Sequence, residues 1–242
     1  MLTDKQDAFG HEIYDYFQDG GGYEIIERDD GYIDIGGGPG QYFLEYEEWP
    51  PSEREAMKFA TGKVLDIGCG AGRHALYLQE GGLAVTGIDN SPLAIKVCQE
   101  QGLRDSHVMP VTQVSRKIGT FDTIMMMGNN FGLVENPTRA RWLLQKFHRM
   151  TGATGWIIAQ TRDPYQTDNP HHLAYHQRNL ERGRMAGQVR IRVRYRKYIS
   201  PWFDYLMVSR DEMQELLSGT RWELREWIED AIGSSVAIIK KR

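Results

Sequence analysis

The run Val64-Leu65-Asp66-Ile67-Gly68-Cys69-Gly70-Ala71-Gly72-Arg73 constrains the fold of this chain more than any other segment. A short apolar stretch suited to a buried strand passes through three alternate glycines straight into a helical pattern, where Ala71, Ala75 and Leu78 recur at i, i+4 and i+7. Glycine has no side chain and tolerates positive φ, so such a turn folds tightly and lets a ligand lie against the backbone. The first amides of the helix then face that ligand. Strand, glycine turn and helix in this order suit a nucleotide, either a dinucleotide or another adenosine-containing cofactor.

Two features weigh against the dinucleotide. Its GxGxxG fingerprint needs glycine where Arg73 stands, and the spacing here is GxGxG. Asp66, at the strand end, repels a pyrophosphate but attracts ammonium and sulfonium charges. Seventeen residues beyond Gly72, Asp89 closes the run Val85-Thr86-Gly87-Ile88-Asp89-Asn90. A carboxylate at that second strand tip can accept two hydrogen bonds from a ribose diol.

The same alternation of strand and helix patterns continues along the chain. Strands are expected at Val64–Ile67, Ala84–Ile88, His107–Met109, Phe121–Met127 and Trp156–Gln160, then at Val189–Tyr198, Glu223–Ile228 and Val236–Ile239, the last two pairing antiparallel. Ser91-Pro92, Asn136-Pro137 and the capping box of Ser209 with Glu212 open helices between them. The pattern is that of βαβ units on a doubly wound sheet, and it places one domain over residues 56–242. Residues 1–55 read as an accessory arm or cap, with a helix around 4–18 and a hairpin of Tyr23–Ile26 and Tyr32–Ile35 about Asp29-Asp30-Gly31.

Charge is unevenly spread over the 242 residues, whose net charge is −4. The arm holds fifteen Asp and Glu against three Lys and Arg, whereas residues 178–197 hold seven Arg and Lys197 against Glu181 alone. No apolar run reaches eighteen residues and no secretory leader pattern opens the chain, so a cytoplasmic protein without membrane contact is expected. Cys69 and Cys98 lack CxxC spacing, which gives no sign of a disulfide framework.

VLDIGCGAGRHALYL at 64–78, VTGIDNSP at 85–92 and FDTIMMMGNNFGL at 121–133 resemble the class I S-adenosylmethionine-dependent methyltransferases, over roughly residues 60–240. The resemblance implies an α/β, Rossmann-like, seven-stranded sheet with its last strand antiparallel, and S-adenosyl-L-methionine across the carboxyl ends of the first strands. It further implies that Gly68, Cys69, Gly70 and Gly72 line the methionine part, that Asp66 holds its amino group, and that Asp89 with Asn90 holds the ribose. Such enzymes often place an acid after the third strand for the adenine amino group, but Val108-Met109-Pro110-Val111-Thr112-Gln113 has none. Val111 and Thr112 are the positional candidates there, through backbone groups.

The resemblance places the departing methyl group near Gly128-Asn129-Asn130-Phe131-Gly132. Asn129 or Asn130 could orient an acceptor, although Asn and Gly also fill ordinary turns and neither amide is a base. The segment is unlike the Asp-Pro-Pro-Tyr type of amino-group nucleic-acid enzymes, which favours a small or medium-sized acceptor methylated at oxygen or nitrogen. Residues 162–200 read as a lid insertion. Within it His172 and His176 stand at i and i+4 and are candidate bases, while no carboxylate or cysteine accompanies them at metal-ligand spacing. Arg190, Arg192, Arg194 and Arg196 alternate with Val189, Ile191, Val193 and Tyr195, so one face of a strand carries four guanidiniums. That row can grip an anionic acceptor under a roof made with the arm and its Tyr42, Phe43 and Tyr46, or it can neutralise the acidic arm; a nucleic-acid-binding methyltransferase-like module is the alternative function.

Overall fold

A computed structural model of the chain describes residues 2–230 and 233–242. The arm contains α1 (Ala8–Asp19), β1 (Ile25–Arg28), β2 (Ile33–Ile35) and α2 (Pro51–Met57). The alternating unit follows as β3 (Lys63–Ile67), α3 (Arg73–Glu80), β4 (Ala84–Asp89), α4 (Pro92–Glu100), β5 (Ser106–Val108), β6 (Phe121–Met126), α5 (Pro137–Met150) and β7 (Thr151–Arg162). Then come α6 (Pro170–Glu181), β8 (Gln188–Tyr195), β9 (Tyr198–Ile199) and β10 (Phe203–Leu206), before α7 (Arg210–Leu217), β11 (Trp222–Glu229) and β12 (Ser234–Lys241).

Helix starts obey the local signals. The side chains of Ser91, Asn136 and Ser209 accept hydrogen bonds from the amides of Ala94, Arg139 and Glu212, satisfying otherwise orphaned donors. Seven strands form the main sheet in the order β11-β12-β7-β6-β3-β4-β5, with β12 antiparallel to both neighbours. In β3, Leu65 and Ile67 face a core layer with Phe121, Leu143 and Phe147, while Val64 joins Leu78, Ile95, Met125 and Ile238 on the other face. Burial on both faces is why these strands are continuous apolar runs. The chain leaves β3 toward β4 on one side and later returns to β6 on the other, so the glycine turn lies at the switch point where doubly wound sheets bind ligands.

A second, antiparallel sheet has the order β10-β8-β1-β2, with β9 paired to β8. It joins the acidic arm to the basic segment strand by strand, since Ile25–Arg28 align with Arg194–Ile191. The basic strand therefore lies outside the main sheet, and it is shorter than the expected Val189–Tyr198. Arg196 adopts a left-handed φ of 51°, which turns the chain back so that Tyr198 and Ile199 pair with Tyr195 and Arg194. Neither α2 nor β10 is evident from periodicity, because α2 is seven residues long and β10 four.

Candidate cofactor and acceptor site

The turn between β3 and α3 carries Gly68, Gly70 and Gly72 at φ of 73°, 56° and 92°, a region L side chains rarely occupy. Gly68 is doubly constrained, because a Cβ there would overlap the side chain of Asn130. The Asn130 amide donates to the Gly68 carbonyl at 2.8 Å and to Ile67 at 3.2 Å, so it ties the loop after β6 to the glycine turn. The sequence offers Asn130 as a group that orients an acceptor; in the fold its amide nitrogen holds the floor of the site.

Asp66 and Asp89 stand at the tips of neighbouring strands. Asp66 is 2% exposed, and burial followed by the charge of Asp89 pushes its carboxyl up to about 7, with Arg73 opposing. Burial likewise pushes Asp89 up to about 6, against hydrogen bonds donated by the amides of Ser91 at 2.9 Å and Gly70 at 3.1 Å. Two acids raised by burial and, at Asp66, by mutual repulsion are a site that a bound cation relieves. Asn90 is exposed beside them, and buried Cys69 lies with its Sγ 3.8 Å from that of Cys98, both free thiols. Val111 and Thr112 form a single helical turn after β5, half-buried, with the Thr112 carbonyl accepting from Lys146 Nζ at 2.7 Å.

Glu53 on α2 connects these parts. Its carboxylate accepts from Arg73 Nη2 at 2.7 Å and from Gln160 Nε2 at 3.1 Å, and lies 3.0 Å from His74 Nε2. Burial alone would raise the Glu53 carboxyl, but His74, Arg73 and Gln160 together bring it below the usual range. Gln160 Oε1 in turn accepts from the amides of Gly128 at 2.7 Å and Asn129 at 3.3 Å. Arg73, which breaks the dinucleotide spacing, is thus the start of a polar chain across the site. Asn129 adopts a left-handed φ of 62°, and its carbonyl accepts from the Tyr205 hydroxyl on β10.

The arm lies against the glycine turn. Ile13 packs with Ala71, Ala94 and Val97, joined by Tyr42 and Phe43, and the Tyr42 ring faces Gly70. His172 and His176 sit on α6. His172 meets the Tyr32 ring edge-on at 5.0 Å and Thr167 Oγ1 at 3.3 Å. Burial, and then nearby Arg28 for His172 and His172 for His176, hold both imidazoles toward the neutral form.

The arginine row is occupied within the molecule. Arg192 and Arg194 bind the two oxygens of Glu27 at 2.8 and 2.6 Å, Arg190 lies 3.3 Å from Asp204, and Arg196 lies 2.7 Å from Asp15. The row's opposing partners are carboxylates of the arm and of β10, which is the neutralising arrangement of the two that the sequence allows. Sequence reading passed over Glu53, Gln160 and Tyr205. Pro50-Pro51 before Glu53 is the one local hint, since proline is favoured in a first helical turn.

Residues 64–155 match the family model described as a methyltransferase domain. Glycine/sarcosine N-methyltransferase of Halorhodospira halochloris is 28% identical over 116 residues, a match covering 46% of this chain and 43% of that protein. The chain thus spans less than half the length of this curated relative. A solved S-adenosylmethionine-dependent methyltransferase from Bacteroides fragilis, in complex with S-adenosyl-L-homocysteine, superposes with a TM-score of 0.84 at 24% identity, covering 100% of this chain and 97% of its own. The 1,6-didemethyltoxoflavin-N1-methyltransferase of Burkholderia thailandensis superposes with a TM-score of 0.51 at 18% identity, covering 79% of each chain. No helix among the described residues is long and apolar enough to cross a membrane.

Proposed function

We infer, from a chain that has the class I S-adenosylmethionine-dependent methyltransferase fold and a methyltransferase domain at residues 64–155, that it transfers a methyl group to a small or medium-sized molecule at nitrogen or oxygen. The observation that carries this reading is the left-handed glycine turn at the switch point of the sheet, with buried Asp66 just before it and Asp89 accepting from the Gly70 amide at 3.1 Å.

S-adenosyl-L-methionine, when bound, supplies an electrophilic methyl on a sulfonium for in-line displacement. Asp66 holds its ammonium group, Gly68, Cys69, Gly70 and Gly72 admit the methionine part, and Asp89 with Asn90 accepts the ribose hydroxyls. Val111 and Thr112 offer backbone groups to the adenine. Most of the rate then comes from alignment and exclusion of water. Tyr42 against Gly70 and the second sheet, built from residues 1–55, the 162–200 insertion and β10 just beyond it, serve as the roof. Asn129 and Asn130 fix the floor through Tyr205, Ile67 and Gly68. We assign His172 and His176 to anchoring α6 on the hairpin, given the contact of His172 with Tyr32.

Calorimetry of the folded protein with S-adenosylmethionine, S-adenosylhomocysteine and NAD tests this. Heat from both sulfur ligands at one site and none from NAD is expected; competition by NAD, or no heat from either sulfur ligand, refutes the reading.

A further inference from the structure

Asp7, at the head of the arm, is 1% exposed and serves two helices at once. Its Oδ1 accepts from the Gly10 amide at 3.1 Å, capping α1. Its Oδ2 accepts from Ser91 Oγ at 2.9 Å and from the Leu93 amide at 3.2 Å, at the first turn of α4. One carboxylate therefore takes up donors that both helix ends would otherwise leave orphaned, and it faces the positive ends of two helix dipoles. The approach is close enough to need glycine, since a Cβ at Gly10 would overlap Ser91 Oγ and both oxygens of Asp7.

Ser91 carries this contact to the strand tip. Its amide donates to Asp89 Oδ1 at 2.9 Å, while the Gly70 amide donates to Oδ2 at 3.1 Å. Each carboxylate oxygen is thus aimed by one amide and keeps acceptor capacity for one hydroxyl of a vicinal diol. The Ser91 hydroxyl donates to Asp7 and accepts from the Ala94 amide at 3.0 Å, which fixes the residue between β4 and α4 from both sides. Helix α4 is also tied to the glycine turn, where Gln101 Nε2 donates to the Ala71 carbonyl at 2.7 Å. On the arm, the rings of Tyr16 and Phe17 pack on Phe43 at 5.1 and 6.2 Å, beside the Tyr42 that faces Gly70. Hydrogen bonds thus run without a gap from Asp7 through Ser91 and Asp89 to Gly70.

We propose that Asp7 is a positioning residue for the cofactor's ribose: by holding Ser91 it sets the Asp89 carboxylate for the vicinal diol, so the arm completes the cofactor site as well as covering it. The proposal rests on the methyltransferase reading, in which Asp89 takes the ribose. Without the Asp7 carboxylate, Ser91 Oγ and the Leu93 amide lose their acceptor, and the segment that aims Asp89 is no longer pinned. The preorganisation of the ribose acceptors is then lost, whereas contacts to the methionine part and the adenine, which other residues make, are kept.

Calorimetry with S-adenosylhomocysteine and its 2′-deoxy analogue tests the assignment, because a residue that acts through the ribose must distinguish the two. Asparagine caps a helix about as well as aspartate, but Asp7→Asn has an acceptor for only one of the two helix ends. It should weaken S-adenosylhomocysteine binding by about tenfold, and binding of the 2′-deoxy analogue by less than about threefold. Combined with Asp89→Ala, it should add no further loss. Ser91→Ala breaks the same link from the other side and leaves the α1 cap intact; it should show the same selectivity, and it decides the matter if Asp7→Asn does not fold. Unchanged affinity in the folded variants, equal losses for the two ligands, or losses that add to that of Asp89→Ala overturns the proposal and leaves the methyltransferase reading in place. Wild-type protein that binds both ligands equally, or unfolding of both single variants, does the same. If S-adenosylhomocysteine fails to bind the wild-type protein, the methyltransferase reading falls and this proposal with it.

Discussion

The carboxylate of Glu53 accepts a hydrogen bond from the side-chain amide of Gln160 at 3.1 Å, across 107 residues of sequence. Glu53 is 4% exposed and also neutralises Arg73 at the head of α3, while Gln160 holds the amides of Gly128 and Asn129. Two residues outside the glycine motif therefore fix the distance between the cofactor turn and the loop after β6.

Removing Glu53 leaves a buried guanidinium without its charge partner. Glu53→Ala should cost about 3–5 kcal/mol of stability, the usual penalty for breaking a buried ion pair from one side. Chemical denaturation checks this. A loss below about 1 kcal/mol would mean that water takes over the role of Glu53.

Cofactor affinity should rise with pH between about 5.5 and 8. The carboxyls of Asp66 and Asp89 sit at about 7 and about 6 in the folded protein against 3.8 ordinarily, so the folded chain holds protons that the unfolded chain has released. The stability they contribute is present below about 4 and is lost as pH rises through 6 and 7. A bound ammonium lowers both values and expels those protons, worth up to about tenfold in affinity per pH unit for each proton. Titrations in buffers of different ionisation enthalpy should reveal proton release. An affinity that is flat over this range, with no buffer dependence, speaks against contact between the cation and Asp66.

Asp89→Ala should weaken S-adenosylhomocysteine binding by about 1–3 kcal/mol through loss of charge-assisted hydrogen bonds to the ribose. The fold should survive. An unchanged dissociation constant beside an unchanged melting curve removes Asp89 from the ribose site.

Gly68→Ala should abolish cofactor binding, because its φ of 73° disfavours a side chain and the new Cβ overlaps Asn130. Asn130→Ala alone loses two hydrogen bonds to the turn and should cost about 1–2 kcal/mol of affinity. The double variant should bind more tightly than Gly68→Ala, since the overlapping amide is gone. Strictly additive losses would place the constraint in the backbone alone.

Charge reversal at Arg192 should lower the melting temperature more than it changes cofactor affinity. Arg192, with Arg194, holds the Glu27 carboxyl down to about 2, so this pairing is complete at neutral pH and is lost only as pH falls through that value. Deleting residues 1–40 should, in contrast, weaken S-adenosylhomocysteine binding, because it removes α1 from Ala71 and α4. A truncated protein that keeps its fold and full cofactor affinity would show that the arm is no roof.

By itself, the sequence determined the elements whose reasons are local or periodic. Val64–Leu78 specifies a buried strand, a glycine turn and a helix because its apolar run, its positive-φ positions and its helix-face residues lie within one short segment. The helix caps at Ser91, Asn136 and Ser209 needed only side chains three residues from their amides. The tertiary structure alone decided which charges meet. Glu27 with Arg192, Glu53 with Arg73 and Gln160, and Glu12 with Glu24 are brought together by sheet register and helix docking, which no window of sequence contains. A row of arginines looks the same in sequence whether it faces a ligand or a carboxylate, because Coulomb attraction depends on a distance that only the folded chain sets.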